Sequence, residues 1–356
     1  MQELLGRIAR LDPSASLGLR VIACFDELVI GNVNTRALLS AAASLAGCVA
    51  GFHQDHPART VRVNERGQLV DGPQPPIDVG TTAGASDGIT VWLEREGKPH
   101  ANDAIILERL ALSVRIRHGR GRGDNDTRRN LGVLVAGTAS EEDRCVAAAA
   151  LGVAPGRRYR VLAAPLFAVW QRHPTGPEDV VPTRFGPIHA LVVPDTQTAV
   201  EASPCGIGVA AEIKDLHHSF RTALVALRLC NPPTTPAVTA DEYGGLADLL
   251  ADAPVDSPQP DADRLDDVAR HPWGMHTVES IVRSPSVRQA ARLAGVHHST
   301  LQSRLEGITE AMGFDPYEGF GRTRLGTAYL VWRLRHSRVL DLPARAAADP
   351  GCSPTA

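Results

Sequence analysis

The chain has 356 residues, and at roughly 150 residues per domain that length points to two or three domains and away from one core. Hydrophobic residues at 43% and charged residues at 22% are ordinary globular proportions, which exclude a disordered, collagenous or coiled-coil chain. A net charge of -3 gives no whole-molecule attraction to nucleic acid or anionic lipid, so any such attraction has to be local.

No apolar run nears the roughly 18 residues of a membrane span, and the acidic start Met1-Gln2-Glu3-Leu4-Leu5 is unlike a signal peptide, so a cytoplasmic protein with no membrane partner is expected. Cys24, Cys48, Cys145, Cys205, Cys230 and Cys352 are scattered without zinc-ligand spacing and read as reduced thiols.

The first segment, residues 1–118, opens with amphipathic stretches from Glu3 to Leu11 and from Ser16 to Ile30, separated by the helix stop Asp12-Pro13-Ser14. A helix over Thr35 to Ala46 leads into strands at Cys48 to Phe52 and Thr60 to Val63, a turn at Asn64-Glu65-Arg66-Gly67, and Leu69-Val70. A Gly- and Pro-rich loop precedes a strand over Ile89 to Glu94. The capping pair Asn102-Asp103 then starts a long helix through Leu107, Leu110 and Val114. That helix suits either pairing between subunits or packing on its own sheet.

From His118 to Asn130, four arginines among glycines and short polar residues mark an exposed connection. The second domain, 131–250, alternates elements: a helix from the capping box Ser140-x-x-Asp143 to Ala150, strands at Tyr159 to Ala164, Ile188 to Val193 and Gly206 to Ala211, and a helix over Leu216 to Leu229. Prolines and six aspartates between Asp252 and Asp267 predict a solvated linker with a frayed helix beyond it. The third domain, 264–340, reads as all helix. Residues 341–356, rich in Ala, Pro and Ser, read as a disordered tail.

The most informative stretch runs from Ser286 to Leu305. In a helix-turn-helix, Ala291 is small where the second helix crosses, Gly295 takes the left-handed turn, and Val296, Leu301, Leu305 and Ile308 bury the inner face. The outward face carries His297, His298, Ser299, Gln302, Ser303 and Arg304, hydrogen-bonding groups with no acid among them. Gln pairs with adenine, Arg with guanine, and Ser or Thr with phosphates or base edges. The candidate DNA-binding residues are therefore Arg288 and Gln289 before the turn, and His297, His298, Ser299, Thr300, Gln302, Ser303 and Arg304 after it. Arg270 to Arg338 counts ten arginines against five acids, a basic module in an acidic chain. Two adjacent histidines at the groove would tighten phosphate contact as pH falls between about 8 and 5.

Val287 to Arg335, especially Val296-His297-His298-Ser299-Thr300-Leu301-x-x-Arg304-Leu305 with Met312-Gly313-Phe314 and Trp332-Arg333-Leu334, resembles the C-terminal helix-turn-helix of PucR/CdaR-type transcriptional regulators. Arg20-Val21-Ile22 and Phe25-Asp26-Glu27-Leu28-Val29 before Leu45-Ala46-Gly47 are similar to a GAF-type sensor. Gly206-Ile207-Gly208 with Asp215-Leu216-x-x-Ser219-Phe220-Arg221 resembles a degenerate GGDEF-like domain. The resemblance implies a multidomain α+β fold: a GAF-like α/β sensor, a GGDEF-like α+β domain and an all-α DNA-binding domain. It also implies a cytoplasmic homo-oligomer that binds double-stranded DNA and answers a small-molecule effector. Where such helices commonly carry Arg-Asn after the first histidine, this chain has His298-Ser299, so operator preference does not carry over.

Enzymatic readings find little support. Gly84-Ala85-Ser86-Asp87-Gly88 matches a hydrolase motif, but it follows Thr81-Thr82-Ala83 in an expected loop and precedes a strand, where a nucleophile elbow joins strand to helix. The metal-binding hairpin of a diguanylate cyclase is missing, and Glu242-Tyr243-Gly244-Gly245 leads into a helix instead. Adjacent pairs such as His217-His218 point apart, and His53, Asp55 and His56 read as a solvated loop. No catalytic residue, metal ligand or cofactor is assigned. The alternative from another class is an effector-responsive scaffold whose C-terminal helices bind protein.

Overall fold

The computed structural model describes residues 13–31, 33–55, 58–71, 82–86, 88–95, 97–119, 129–166, 168–197, 200–253 and 258–341. The stretch from Glu3 to Leu11, most of the Gly- and Pro-rich loop, the centre of the arginine-glycine connection and the tail from Pro343 lie outside them. The chain divides into two compact units, one reaching to Ala240 and rejoined from Val339, the other Asp241–Arg338.

The first unit begins with α1 (Pro13–Ile30) and α2 (Thr35–Ala46). The proline predicted as a stop is the first residue of α1, where its missing N–H costs nothing. Asn34 caps α2 by accepting the Ala37 N–H at 2.8 Å, and Gly47 closes it in the left-handed conformation. Then come β1 (Val49–Gln54), β2 (Arg59–Val63), β3 (Thr82–Ser86), β4 (Ile89–Glu94) and α3 (Asp103–Gly119). The four strands form an antiparallel sheet in the order β2-β1-β4-β3. Thr82 and Ala83, expected in a loop, belong to the edge strand β3. The motif at Gly84 is thus part of a strand-to-strand hairpin, with no helix after it.

The long helix α3 packs within its own unit: Ile106, Leu107, Leu110, Ala111 and Val114 are buried with Phe25 and Leu28 of α1 and Leu38 and Leu39 of α2. Asp103, expected as a cap, has a larger task. Its carboxylate accepts Nε and Nη2 of Arg95 at 2.5 and 2.8 Å and the His100 N–H at 2.7 Å, while Arg95 also donates to the Ala46 carbonyl.

Across the sheet, Arg62 on β2 donates Nε and Nη2 to the two oxygens of Glu94 on β4, each at 2.6 Å, and Trp92 Nε1 adds a third donor at 3.1 Å. Burial raises the Glu94 pKa, but these donors outweigh it and hold the carboxyl below its ordinary value. A depressed carboxyl contributes stability that is present above the unfolded pKa and lost as pH falls through the folded one. Glu94→Gln is therefore expected to cost about 1.5–3 kcal/mol at pH 7, the range for hydrogen bonds to a charged group. That deficit should shrink below about pH 4 in urea titrations; a deficit that does not change with pH would contradict the assignment.

The rest of this unit is α4 (Arg129–Val135), α5 (Glu141–Ala150), β5 (Tyr159–Pro165), β6 (Val169–Trp170), β7 (Glu178–Thr183), β8 (Gly186–Pro194), β9 (Ala202–Ser203), β10 (Cys205–Ile207), α6 (Leu216–Leu229) and β11 (Ala237–Thr239). Half of the expected capping box forms: Ser140 Oγ accepts the Asp143 N–H at 3.1 Å and donates its own proton to Asp143 Oδ2 at 2.7 Å. A five-stranded sheet runs β11-β10-β5-β8-β7, antiparallel except for β10 beside β11, and β6 pairs with β9.

The strand β5 is buried on both faces. Val161 and Ala163 meet Phe220, Ala223 and Leu227 of α6, while Leu162 and Ala164 join Trp170, Leu191 and Val193 on the opposite side. Gly206 and Gly208 serve this contact. A Cβ on Gly206 would fall on the backbone of α6 at Ala223 and Leu227, and one on Gly208 on the Ser219 carbonyl. The glycine pair is thus accounted for by helix-on-strand approach. Leu166 and Val180 of this half share the core of α1, α2 and the first sheet.

The second unit contains α7 (Gly245–Asp252), α8 (Pro260–Ala269), α9 (Gly274–Val282), α10 (Val287–Leu293), α11 (His298–Met312) and α12 (Gly321–Arg335). Leu265, Val268, Val278, Ile281, Leu301, Ile308, Met312 and Leu325 are buried. The aspartate-rich stretch corrects the expectation of a solvated linker, because from Pro260 it is the ordered helix α8. Its acids find partners on α12: Asp261 receives Arg324 through two hydrogen bonds of 3.0 and 2.9 Å, Asp263 receives Arg335, and Asp266 accepts Trp332 Nε1 at 2.8 Å. Residues 254–257 fall outside the description.

Candidate functional site

The turn between α10 and α11 is built by three local devices. Ser286 caps α10 by accepting the Gln289 N–H. Gly295 adopts φ +64°, a left-handed conformation that a side chain would strain, and so turns the chain sharply. His297 then caps α11, its Nδ1 accepting the Ser299 N–H at 3.3 Å and lying 2.8 Å from Ser299 Oγ. At the far end Gly313 closes α11 in the left-handed conformation, and Arg264 Nη1 donates to the Met312 carbonyl at 2.9 Å.

Ala290, Ala291, Leu301, Ile308 and Met312 are buried beneath the pair of helices, while Val296 and Leu305, expected in the core, are half-buried at its margin. Arg288, Gln289, His297, His298, Ser299, Thr300, Gln302 and Ser303 are all exposed. Arg304 departs from them. Its guanidinium lies over the Trp273 ring at 5.2 Å and donates to Thr277 Oγ1 at 3.3 Å, so it is held against α9. With Trp273, Ser299, Thr300 and Ser303 it lines a shallow groove. Nothing in the spacing of Trp273 in the sequence places it beneath Arg304.

Asp241–Arg338 holds eleven arginines and fourteen carboxylates, so the surplus counted from Arg270 onward disappears when the whole unit is counted. What remains positive is local. No carboxylate occurs in sequence between Glu279 and Glu306, and Arg288 and Arg292 stand exposed within that interval. His297 spends its Nδ1 on the cap, leaving His298 as the freer of the pair for phosphate.

Residues 275–331 match the PucR C-terminal helix-turn-helix domain. The PucR-type match spans α9 to α12, supports a transcriptional regulator and suggests DNA binding. Among solved structures, one similar chain is described as a regulator of polyketide synthase expression from Bifidobacterium adolescentis. It is 16% identical over 59% of this chain and 98% of that one, with a TM-score of 0.26, a likeness too low to carry an argument. No match to a curated protein is found.

The first unit contains a cavity of about 600 Å³. Phe52, Val61, Leu69 and Val70 supply apolar wall; Arg36, Arg59, Gln54, Thr60 and Asp179 supply polar groups. Asn34 Nδ2 donates to Asp179 Oδ2 at 2.8 Å, joining α2 to β7 at the rim. Its walls come from positions 34 to 182, too dispersed for any local motif to reveal. Among the described residues no helix is long and apolar enough to cross a membrane.

Proposed function

We propose that the protein is a sequence-specific, double-stranded-DNA-binding transcriptional regulator that answers a small-molecule effector. The observation that carries this is the acid-free, exposed start of α11 presented by a PucR-type helix-turn-helix. His298, Ser299, Gln302 and Ser303 project hydrogen-bonding groups where a major groove would meet them, with Arg288 and Gln289 beside them.

In this reading the first sheet with α1 to α3 is the GAF-like sensor, and the second sheet with α4 to α6 is the GGDEF-like domain without catalysis. The cavity beside β2 and β7 receives the effector; its size suits a small molecule and its lining mixes apolar wall with a few polar groups. The regulator acts in the cytoplasm as a homodimer or higher homo-oligomer, so that two copies of α11 address paired half-sites. An effector changes operator affinity only through a difference in its own affinity for the two arrangements of those helices.

Selection of genomic fragments by the purified full-length protein, followed by affinity across salt, tests this. The expected result is a preferred paired half-site with a steep salt slope. Gln302→Ala should change sequence preference by about 1–3 kcal/mol at one base pair, while Arg288→Ala should weaken all sequences alike and flatten the salt slope by about 1. Absence of preference at any salt would overturn DNA reading and favour a scaffold that binds protein.

A further inference from the structure

We propose that His173, Glu178 and His189 form a binding site for a divalent first-row transition-metal ion. Nε2 of His189 lies 2.7 Å from Glu178 Oε2, and Nε2 of His173 lies 3.2 Å from the same oxygen. The donor atoms of all three side chains fall within 4.8 Å of one another. The residues come from one corner of the second sheet: Glu178 and His189 lie diagonally across β7 and β8, where Val180 faces His189 directly, and His173 sits in the loop before β7.

The orientation of His173 points to a cation. Its Nδ1 lies 3.0 Å from the Pro174 carbonyl, an acceptor only, so Nδ1 carries the proton and Nε2 turns toward the carboxylate. That Nε2 is buried and makes no aligned hydrogen bond despite its distance from Glu178. A bare nitrogen lone pair beside a carboxylate oxygen is repulsive until something positive lies between them. A second proton supplies this, and so does a metal ion. The Nδ1-to-carbonyl bond is the outer-shell arrangement that fixes metal-binding histidines.

The surroundings shield the cluster from water. The Trp170 ring packs 5.1 Å from His173 and 5.9 Å from His189, and Glu178 and His189 side chains are 8% and 3% exposed. Glu27 on α1 is within electrostatic reach of all three residues, and its Oε2 is buried without a partner. One turn further on, Gly31 lies against the Glu178 carboxylate. Two imidazoles with carboxylate oxygen suit zinc, iron, nickel or copper better than magnesium or calcium. Tetrahedral ligands about 2.1 Å from a zinc ion stand about 3.4 Å apart, so each histidine nitrogen needs to draw back from the Glu178 oxygen by less than about 1 Å.

The test uses tag-free full-length protein stripped with chelator and titrated with Zn²⁺ by calorimetry and with Co²⁺ by visible absorption. The expected result is one ion per chain, the d–d bands of nitrogen and oxygen ligation, and a raised Tm. His189→Ala and His173→Gln, checked by circular dichroism, are each expected to weaken binding more than the roughly 10–100-fold that loss of an outer-shell partner costs. If His189→Ala does not fold, His173→Gln alone decides. Failure of wild type to bind either ion would show that a proton alone holds the cluster, and equal binding by wild type and His173→Gln would place the ion elsewhere. Either result overturns the proposal.

Discussion

Gly206→Ala is expected to destabilise the first unit by about 3 kcal/mol or more, enough to prevent folding of a marginal domain. Overpacking is tolerated where a flexible side chain can swing away. Here the new methyl would meet the Ala223 carbonyl and the Leu227 backbone nitrogen, atoms held by the hydrogen bonds of α6 itself. Relief would require α6 to lift from β5 and β10, exposing Phe220, Ala223 and Leu227, which are otherwise buried against the sheet. Urea unfolding with hydrogen exchange on α6 reads this directly. A shift below about 1 kcal/mol with unchanged α6 protection would show that the glycine pair is there for something other than packing.

The second large effect is expected in the C-terminal unit. Leu301 is 0% exposed and stands on the first turn of α11, on the side opposite Ser299, Gln302 and Ser303. Leu301→Ala should cost about 2–5 kcal/mol through lost burial and the cavity left beneath the helix. Amide protection should fall in α10 and α11 together, because these two helices pack on each other. Gln302→Ala, one residue along and exposed, should stay within about 0.5 kcal/mol of wild type. Equal stability of the two variants would mean that α11 is seated differently. The contrast also separates loss of DNA binding through unfolding from loss through a missing base contact.

Local chemistry made much of the fold legible. Thr35–Ala46 and Leu216–Leu229 are the helices their spacing predicts, and Ser140 caps α5 where the Ser140-x-x-Asp143 pattern starts it. The turn at Gly295 was readable because a left-handed residue, a small crossing residue and a cap are all local requirements. The short strands β6, β7, β9 and β11 were not legible, since two to six residues carry too little periodicity and their pairing partners are distant.

Composition misled at Pro260–Ala269. A run of aspartates reads as solvated when its counter-charges are unseen, and Arg324 and Arg335 lie more than sixty residues away. The same separation hid the convergence of His173, Glu178 and His189, which share neither a helix face nor a recognised spacing. The turn at Gly295 and the uncharged, hydrogen-bonding character of the face at Ser299 to Ser303 follow from the sequence alone, because each depends on neighbours a few residues apart. Which arginines meet a carboxylate, where a cavity opens and which buried nitrogens face Glu178 come from the fold, because pairing and desolvation depend on segments far apart in the chain.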